Sequence, residues 1–432
     1  MFKTLASALK DKEIRKKILI VLLLLLVYRL GCFLPVPGLN AASYQSIVGD
    51  DTVGLLSLLN TVTGSALANA SFFALGVTPY INASIIVQLL TVGIPALERL
   101  SKQGDQGREK INLITKIVAI VLAIAQGVGI VLGFDDTLVP LFGENLLWLT
   151  GIMVVVLLVA GTCLTMWIGD RITAQGVGNG LSMIIFVGII STAAQSIANS
   201  IASIFTSSIN YLWELLAFVA LAILLFTLIV WVDGAERKIP VQYAKQVKGR
   251  KMYGGQSTYI PMKVNSNGVM PIIFATAIIT FPSLIIGLFG NPDGGFAQWW
   301  GKWMGTGSVV YSICVALLIL FFSYFYAQMQ FNPADVSLNI QQNGGFIPGI
   351  RPGKPTCDYL TRVSRKITLF GAIFLAFLAL VPSILFEVVA GGQLSLLNAF
   401  TATGMLIVVS VALELSQQLD AQLMMKRHKN IL

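Results

Sequence analysis

The amino-acid sequence predicts an all-α polytopic membrane protein with ten transmembrane helices. The first observation is its composition: of 432 residues, 56% are hydrophobic and 11% are charged, and the mean hydropathy is +0.80. A soluble domain has about a quarter of its residues charged, so the composition excludes that class. The second observation is a series of ten apolar runs, each near the roughly 20 residues that a helix needs to cross a bilayer. The runs lie at about 18–36, 72–94, 111–133, 146–168, 181–200, 212–232, 269–289, 308–329, 367–386 and 394–415.

The third observation is the distribution of basic residues. Of the 29 Lys and Arg residues, 26 lie in alternate gaps between the runs, whereas the opposite gaps contain only Lys302. Because basic loops stay on the cytoplasmic side, this asymmetry predicts that both termini are cytoplasmic. Arg29 and Lys116 remain, and they lie near the ends of runs, where long side chains reach the interface. The first run has no cleavage site after it, so we interpret it as a retained span.

Between the first two runs, residues 53–69 have the sequence VGLLSLLNTVTGSALAN. The apolar spacing is helix-like, but the segment is too short to cross the bilayer and carries no charge that would hold it in water. Two placements fit this pattern equally. The segment either tucks into the protein from the outer side or lies as an interfacial helix on the bilayer.

Two cytoplasmic loops are too long to be simple connections. Residues 233–268 are rich in Ile, Val and Tyr and have Gly-Gly near the middle, which predicts a short hairpin. Residues 330–366 are rich in Pro and Gly, which predicts a fixed irregular loop.

A weak internal repeat relates the second and seventh runs. Residues 79–86, PYINASII, resemble residues 271–278, PIIFATAI, which lie five spans later. An offset by an odd number of spans reverses the direction of the helix, and this reversal is typical of inverted-topology halves.

The chemistry of the runs excludes several membrane functions. Their centres lack the Asp, Glu, Lys, Arg or His side chains with which ion-coupled transporters and proton pumps bind the coupling ion. The only histidine, His428, lies in the basic tail, and the four cysteines form no CxxC pair or other cluster. We therefore expect no metal site and no disulfide framework.

Nucleotide chemistry is also disfavoured. The glycine-rich run at 349–355 lacks the spacing of a phosphate loop, and Pro355 occupies the place of the Ser or Thr that would hold magnesium. We predict that the chain is not an enzyme and has no cofactor. A passive conduit, such as a small-solute or ion permease, and a docking scaffold without a pore both remain, and any energy must come from elsewhere.

Five motifs resemble the SecY family of protein-translocase channels. They occur in the family's order and at the expected spans, and the likeness extends from about residue 5 to residue 430. The motifs are ALGVTPYINASIIVQLLT at 74–91, GVGNGLSMIIF at 176–186, ERKIPVQYAK at 236–245, GGFIPGIRPGK at 344–354 and LIVVSVALE at 406–414.

The resemblance implies two pseudo-symmetric, inverted five-helix halves, residues 1–210 and 211–432, around an hourglass pore. The family's constriction is a ring of aliphatic side chains, which deforms around any sequence and resists hydration. From the residues alone, the matching positions also fit an ordinary helix core, and Leu181 stands where the family commonly has Ile. The ring positions are Ile81, Ile85, Leu181, Ile185, Ile273 and Ile407.

The resemblance also assigns residues 53–69 to the plug, a short helix that fills the outer funnel at rest. Its apolar positions are Leu55, Leu56, Leu58, Leu59, Val62 and Leu67. A lateral gate between spans two/three and seven/eight implies roles for Ile86 and Phe281. Phe281 precedes Pro282, so a kinked and movable span is expected there, although a plain helix kink fits equally.

The basic loops match the surfaces that dock the SecA ATPase or the ribosome, and Arg351 matches the family's critical loop arginine. The bases in these loops also fit a role as plain topology determinants. The expected docking positions are Arg237, Lys238, Lys248, Arg250, Lys251, Arg351 and Lys354. The resemblance further implies SecE and SecG as subunits, and contacts with signal sequences, translocating polypeptides and membrane lipids. The expected location is a bacterial plasma membrane.

Overall fold

The computed structural model places a helix at each of the ten predicted spans. It describes residues 10–40, 60, 63–101, 103–133, 138–140, 146–176, 178–206, 210–243, 246–248, 251–253, 257–265, 268, 270–289, 295–304, 308–390 and 402–429. Within these residues the ten helices at the predicted spans are α1 (Lys12–Gly31), α2 (Thr78–Gly93), α4 (Asp105–Gly133), α5 (Leu147–Ala174), α6 (Gly180–Thr206), α7 (Asn210–Asp233), α8 (Met270–Phe289), α10 (Val309–Gln330), α12 (Lys354–Ala390) and α13 (Ala402–Lys429).

In the described part of the chain, three shorter helices and five strands occupy the connections. The short helices are α3 (Pro95–Ser101), α9 (Gly295–Met304) and α11 (Pro333–Gln342). The strands are β1 (Glu236–Tyr243), β2 (Gln246–Lys248), β3 (Lys251–Tyr253), β4 (Ser257–Lys263) and β5 (Gly345–Phe346). These five strands fall in the two long loops, 233–268 and 330–366.

The apolar content of these helices confirms the predicted class, an all-α polytopic membrane protein. Among the described residues, six helices are long and apolar enough to cross a membrane by themselves. The helices α2 and α3, bent by 103° to each other, count as a seventh if the pair is one broken span. A helix suits lipid because it satisfies its backbone hydrogen bonds internally. The apolar, water-free bilayer core therefore accounts both for the apolar runs in the sequence and for the helices in the structure.

Two helices extend well beyond the predicted spans. The ninth span was expected at 367–386, but α12 begins at Lys354 and runs for 37 residues. In its added turns Leu360 is fully buried while Arg362 and Arg365 are not, so this part is amphipathic and continues the helix into water. The last helix, α13, likewise continues to Lys429, past the predicted end at residue 415.

The chain divides into two compact units. The first contains residues 1–212, 280–306 and 393–432, and the second contains residues 213–279 and 307–392. Within the first unit α4 packs against α2 and α5, α5 packs against α6, and α13 packs against α6. Within the second unit α10 packs against α12. The predicted pseudo-symmetric halves, 1–210 and 211–432, stay a prediction.

A short backbone bridge fixes the segment that leads into α2. The Val36 amide donates to the Ala70 carbonyl at 2.9 Å, and the Phe72 amide donates to the Leu34 carbonyl at 3.0 Å. Leu67 and Leu75 are buried in the same apolar cluster as Leu158 of α5. Residues 66–77 are therefore held firmly against α1 and α5.

Both bases that were expected to reach the interface have protein partners instead. Lys116 of α4 forms an ion pair with Asp170 of α5 at 2.6 Å, and both side chains are about half exposed. Arg29 of α1 donates from Nη1 to the backbone carbonyl of Gly64. Because both side chains contact other protein groups, neither charge is stabilised by the membrane surface alone.

We predict that Gly161→Ala destabilises the first unit. An added Cβ would lie 1.9 Å from the Phe72 carbonyl oxygen, so the helix or the segment must shift. Such overpacking costs about 1–3 kcal/mol. Thermal unfolding in detergent should show a lower midpoint. Gly127→Ala is the matched control because its Cβ meets only an ordinary contact at 3.4 Å from Val155, and an unchanged midpoint for Gly161→Ala would contradict the prediction.

Candidate functional site

The two long loops, 233–268 and 330–366, form a single three-stranded sheet. Strand β1 pairs antiparallel with β4 from Glu236↔Lys263 to Gln242↔Ser257, which confirms the predicted hairpin, and β2 pairs with β3 at its tip. On its other edge β1 pairs with β5 through Gln242↔Phe346 and Tyr243↔Gly345. The order β4-β1-β5 thus joins residues that lie about a hundred positions apart in the chain.

An apolar core underlies this sheet. Along β1 the side chains alternate, so that Ile239 and Val241 are buried while Lys238, Pro240 and Gln242 are exposed. The buried side chains pack with residues of β4, α11, the loop after β5, and α12: Met262, Ile340, Ile347 and Leu360. Each such side chain contributes about 1.5–3 kcal/mol on burial. We call residues 236–263 and 333–360 together the loop module.

Span nine also lies close to the module. An added Cβ on Gly371 of α12 would lie 2.6 Å from the Val264 carbonyl oxygen, just after β4. Because glycine has no Cβ atom, the backbone that follows β4 can approach α12 this closely. The module is therefore seated directly on a membrane-spanning helix.

The loop that bears Arg351 has a braced backbone. Ser337 of α11 donates to the Gly353 carbonyl at 2.8 Å, and Thr356 of α12 donates to the Arg351 carbonyl at 2.9 Å. The Ile350 amide donates to the Ile347 carbonyl at 3.0 Å. Both hydroxyl donors are on buried residues, 4% and 1% exposed, so water does not compete for these bonds. The backbone at 347–353 is therefore fixed, as predicted, but the prediction of an irregular loop over 330–366 was too broad, because 333–342 and 354–366 are helical and 345–346 form a strand. Pro333 begins a helix, a position that proline favours, instead of breaking one.

Three glycines make the turns of this loop possible. Gly344, Gly349 and Gly353 have φ angles of 67°, 81° and 96°, a backbone region that side chains with a Cβ disfavour. Between them Pro348 and Pro352 restrict the chain further. The loop lines an open cleft of about 500 Å³ together with Gln341, Gly345 and Phe346.

The side chain of Arg351 is exposed at the edge of this cleft. Its guanidinium has no hydrogen-bond or ion-pair partner within the described part of the chain. Lys354, which begins α12, is also exposed. A rigid backbone that presents an unoccupied guanidinium is suited to bidentate recognition of a carboxylate or phosphate.

The other predicted docking bases lie elsewhere on the module. Arg237 and Lys238 are exposed near the start of β1, roughly 13–17 Å along the strand from Gln242, where the pairing with β5 begins. Lys238 lies 3.3 Å from Glu236 and 4.8 Å from the ring centroid of Tyr259, so its ammonium is already engaged. Lys248 and Lys251 lie on β2 and β3, but their side chains and the whole of Arg250 are outside the described residues.

The predicted pore positions lie on four helices. Ile81 and Ile85 are one turn apart on α2, Leu181 and Ile185 are one turn apart on α6, and Ile407 is on α13; these helices belong to the first unit. Ile85, Ile185 and Ile407 are buried at 7–8% exposure, and Ile81 and Leu181 are half-buried. Leu181 packs against α5, because a Cβ on Gly169 would lie 2.6 Å from Leu181 Cδ2.

The sixth pore position, Ile273, lies on α8 in the second unit and is half-buried. Its neighbour Phe274 is fully buried, and the Phe274 ring lies 5.5 Å from Phe322 and 4.7 Å from Tyr326 of α10. These aromatic contacts fix the rotation of α8 against α10. The orientation of Ile273 about the helix axis is thereby determined.

The predicted gate and plug positions are only partly described. Ile86 is 36% exposed on α2, on a different face from Ile81 and Ile85. Phe281 lies within α8 beside the internal Pro282, and its side chain is outside the described residues. Of the plug positions, Leu67 is buried at 3% exposure in a series of turns. The remaining five, Leu55, Leu56, Leu58, Leu59 and Val62, lie outside the described residues.

Sequence reasoning missed three residues that this geometry depends on. Ser337 and Thr356 brace the Arg351 loop, and Arg29 contacts the end of the predicted plug segment. Ser and Thr are too common in helices to give a signal. Arg29 carried one, because it lies outside the alternate gaps between apolar runs that contain 26 of the 29 bases.

The architecture defines the class: a polytopic helical membrane protein whose two long loops fold into a braced, arginine-bearing module. The family model of SecY matches residues 71–416. The protein translocase subunit SecY of Mycobacterium bovis is 39% identical over 451 residues, with 100% of both chains covered. This chain belongs to the SecY family.

Two solved structures have the same fold. One was determined in a study of how the plug domain of the SecY protein stabilises the closed translocation channel and maintains a membrane seal; it has a TM-score of 0.61 and 19% identity. The other is Sec61 in the canine ribosome-channel complex from the endoplasmic reticulum, with a TM-score of 0.60 and 17% identity. Each match covers 92% of this chain and 90% of the other.

We predict that Thr356→Val loosens the Arg351 loop. The substitution keeps the shape of the side chain but leaves the Arg351 carbonyl without its buried donor, a loss of about 1–3 kcal/mol. Hydrogen exchange at the Ile350 amide should become about tenfold faster or more. The control is Thr361→Val, because Thr361 donates only to Cys357 within the same helix. Equal exchange rates in the two variants would contradict the prediction.

Proposed function

We infer that this chain forms the protein-conducting channel of a translocase, and that a partner supplies the driving force. The observation that carries this inference is the loop module. A conduit without an energy source of its own needs a rigid surface on which a motor or a ribosome can act. The module has its own core, is seated on α12, and presents Arg351 from a braced loop.

The partner that we propose is the SecA ATPase or a translating ribosome. A guanidinium binds carboxylates and phosphates in a bidentate manner. SecA would offer carboxylates on its protein surface, and the ribosome would offer phosphates on its RNA. The ribosome is supported by the related fold of canine Sec61 in its ribosome-channel complex. Arg237 and Lys238 would add attraction nearer the membrane, and Lys248, Arg250, Lys251 and Lys354 would extend the basic surface.

The pathway that we propose for the polypeptide is lined by the aliphatic ring of Ile81, Ile85, Leu181, Ile185, Ile273 and Ile407. Such side chains contact any sequence without preference, and a narrow apolar constriction stays dry when it is empty. The low exposure of Ile85, Ile185 and Ile407 fits a constriction that is closed at rest. The plug at 53–69 would cover it from the outer side.

Membrane segments would leave the channel sideways. We propose that signal sequences insert beside Ile86 of α2 and Phe281 of α8. The exposed side chain of Ile86 is suited to a lipid or a helix, and Pro282 weakens the hydrogen bonding of α8 at the proposed gate. We further propose SecE and SecG as companion subunits, a bacterial plasma membrane as the location, and cytoplasmic termini.

We predict that Arg351→Glu reduces SecA-driven translocation by about tenfold or more, because it replaces a donor to charged groups with a repelling carboxylate. The measurement is ATP-dependent protease protection of a secretory precursor in vesicles that contain this chain with SecE and SecA. Arg362→Glu is the control, since Arg362 is also an exposed arginine but lies on α12 rather than in the braced loop. Normal translocation by Arg351→Glu would remove this residue from the docking site.

We predict that replacing Ile81, Ile85 and Ile273 together with Ser increases the ion conductance of the resting channel by about tenfold or more, because hydroxyl groups hydrate the constriction. Single-channel recording in planar bilayers measures this leak. Ile124→Ser is the control, since Ile124 is 45% exposed on α4 and is not a ring position. If the resting ion conductance of the triple variant equals that of the parent, the proposed ring is contradicted.

A further inference from the structure

A second cleft opens between α10 and α12, close to the loop module. Its volume is about 230 Å³, and both helices contribute polar side chains to its lining. On α10 these are Tyr324 and Gln328, four residues apart. The polar residues on α12 follow the i, i+3, i+4, i+7 spacing of one helix face: Thr361, Ser364, Arg365 and Thr368. The two helices pack against each other, so two polar faces meet at the end of two apolar spans.

Polar residues between membrane helices usually hydrogen-bond across the interface. Thr368 does not follow this pattern. It lines the cleft and is only 8% exposed, yet its hydroxyl has no hydrogen-bond partner within the described part of the chain. Thr361, one face-turn earlier, donates to the Cys357 carbonyl at 2.8 Å. A buried hydroxyl without a partner is costly, so the cleft favours a ligand that accepts a hydrogen bond from Thr368.

The charge of the cleft indicates the sign of that ligand. Among the described residues that line it, Arg365 carries the only charge. Its side chain is exposed and has no ion-pair partner in the described ranges. Asp335 of α11 accepts from Asn332 at 2.7 Å and does not line the cleft. A guanidinium beside hydroxyl donors is suited to a phosphate, which offers several acceptor oxygens and a negative charge.

The size of the cleft and its surroundings indicate that the ligand is a lipid. Sites that enclose a whole small molecule have volumes of roughly 300–1,000 Å³, so this cleft holds only part of its ligand. Leu369 and Ile373 follow Arg365 along α12, and Leu317 and Phe321 precede the cleft on α10; all four are 45–62% exposed. They belong to the apolar spans, where acyl chains surround a helix. An anionic group in the cleft would thus continue into an apolar tail.

We propose that this cleft binds the phosphate of an anionic phospholipid, whose acyl chains lie along the exposed apolar faces of α10 and α12. The guanidinium of Arg365 binds phosphate oxygens, and the hydroxyl of Thr368 donates to another. Because Pro333, the first residue of α11, also lines the cleft, the lipid joins two spans directly beside the loop module. This site is separate from the Arg351 loop and does not depend on the proposed translocation.

The test titrates the purified full chain in detergent with phosphatidylglycerol and follows the first bound lipid by native mass spectrometry. Arg365→Gln should weaken this binding by about tenfold or more, the effect of losing a bond from a charged donor. Thr368→Val keeps the shape of the side chain and should weaken binding by about threefold or more, the effect of losing a neutral donor. Thr368→Val should not lower the thermal unfolding midpoint in lipid-free detergent, because the lost hydroxyl had no partner within the described chain.

Arg362→Gln is the matched control. Arg362 is an exposed arginine on α12, one turn before Arg365, but it does not line the cleft. The substitution removes the same charge and should leave the affinity for phosphatidylglycerol within about twofold of the parent. If it weakens binding as much as Arg365→Gln, general attraction to a basic surface explains the binding and the site is overturned.

Three further ligands separate the lipid from other sources of the same chemistry. Diacylglycerol lacks the phosphate, phosphatidylcholine adds a cation beside it, and inorganic phosphate lacks the acyl chains. Each should bind about tenfold more weakly than phosphatidylglycerol. Equal binding of diacylglycerol or phosphatidylcholine would overturn the anionic site, and displacement of phosphatidylglycerol by an equal concentration of inorganic phosphate would assign the cleft to a soluble anion. If Arg365→Gln does not accumulate, unchanged affinity in Thr368→Val overturns the proposal.

Discussion

The lack of water inside a bilayer is the constraint on which the rest of this structure depends. Every backbone amide in the hydrocarbon must bond within the chain, so the spans are helices. Every charge there is costly, so bases and acids are confined to the loops and helix ends. Specific recognition by charged groups therefore has to be built outside the membrane, from loops. Those loops need a core of their own, and Ile239, Val241 and Leu360 provide it.

The sequence predicted the parts of the fold that follow from this constraint. The apolar runs located all ten helices at the spans, because length and hydropathy are imposed by the bilayer over some 20 residues at a time. The Ile, Val and Tyr content of residues 233–268, with Gly-Gly near the middle, predicted the hairpin of β1 and β4. The pairing of β1 with β5 was missed, since a strand of two residues, Gly345 and Phe346, has no period to detect and its partner lies far away in the chain.

The sequence identified residues of the candidate site but not their arrangement in space. Arg351 stands in a motif that is specific enough to identify a family, and the structure places it on a loop held by Ser337 and Thr356. A single hydroxyl that bonds a distant carbonyl leaves no pattern in the sequence. The same reasoning explains Arg29: its position was anomalous in the charge count, but only the folded chain brings Gly64 beside it.

The pairing of β5 with β1 also has a consequence for how the protein is made. The hairpin of β1 and β4 leaves the ribosome before α8 and α10 have been synthesised, whereas β5 follows both. The third strand can join the sheet only after those two helices exist. A partly synthesised chain therefore displays a basic hairpin without the arginine loop beside it. Completion of the sheet marks a chain whose later spans have been made, so an immature subunit lacks the surface by which a partner would engage it.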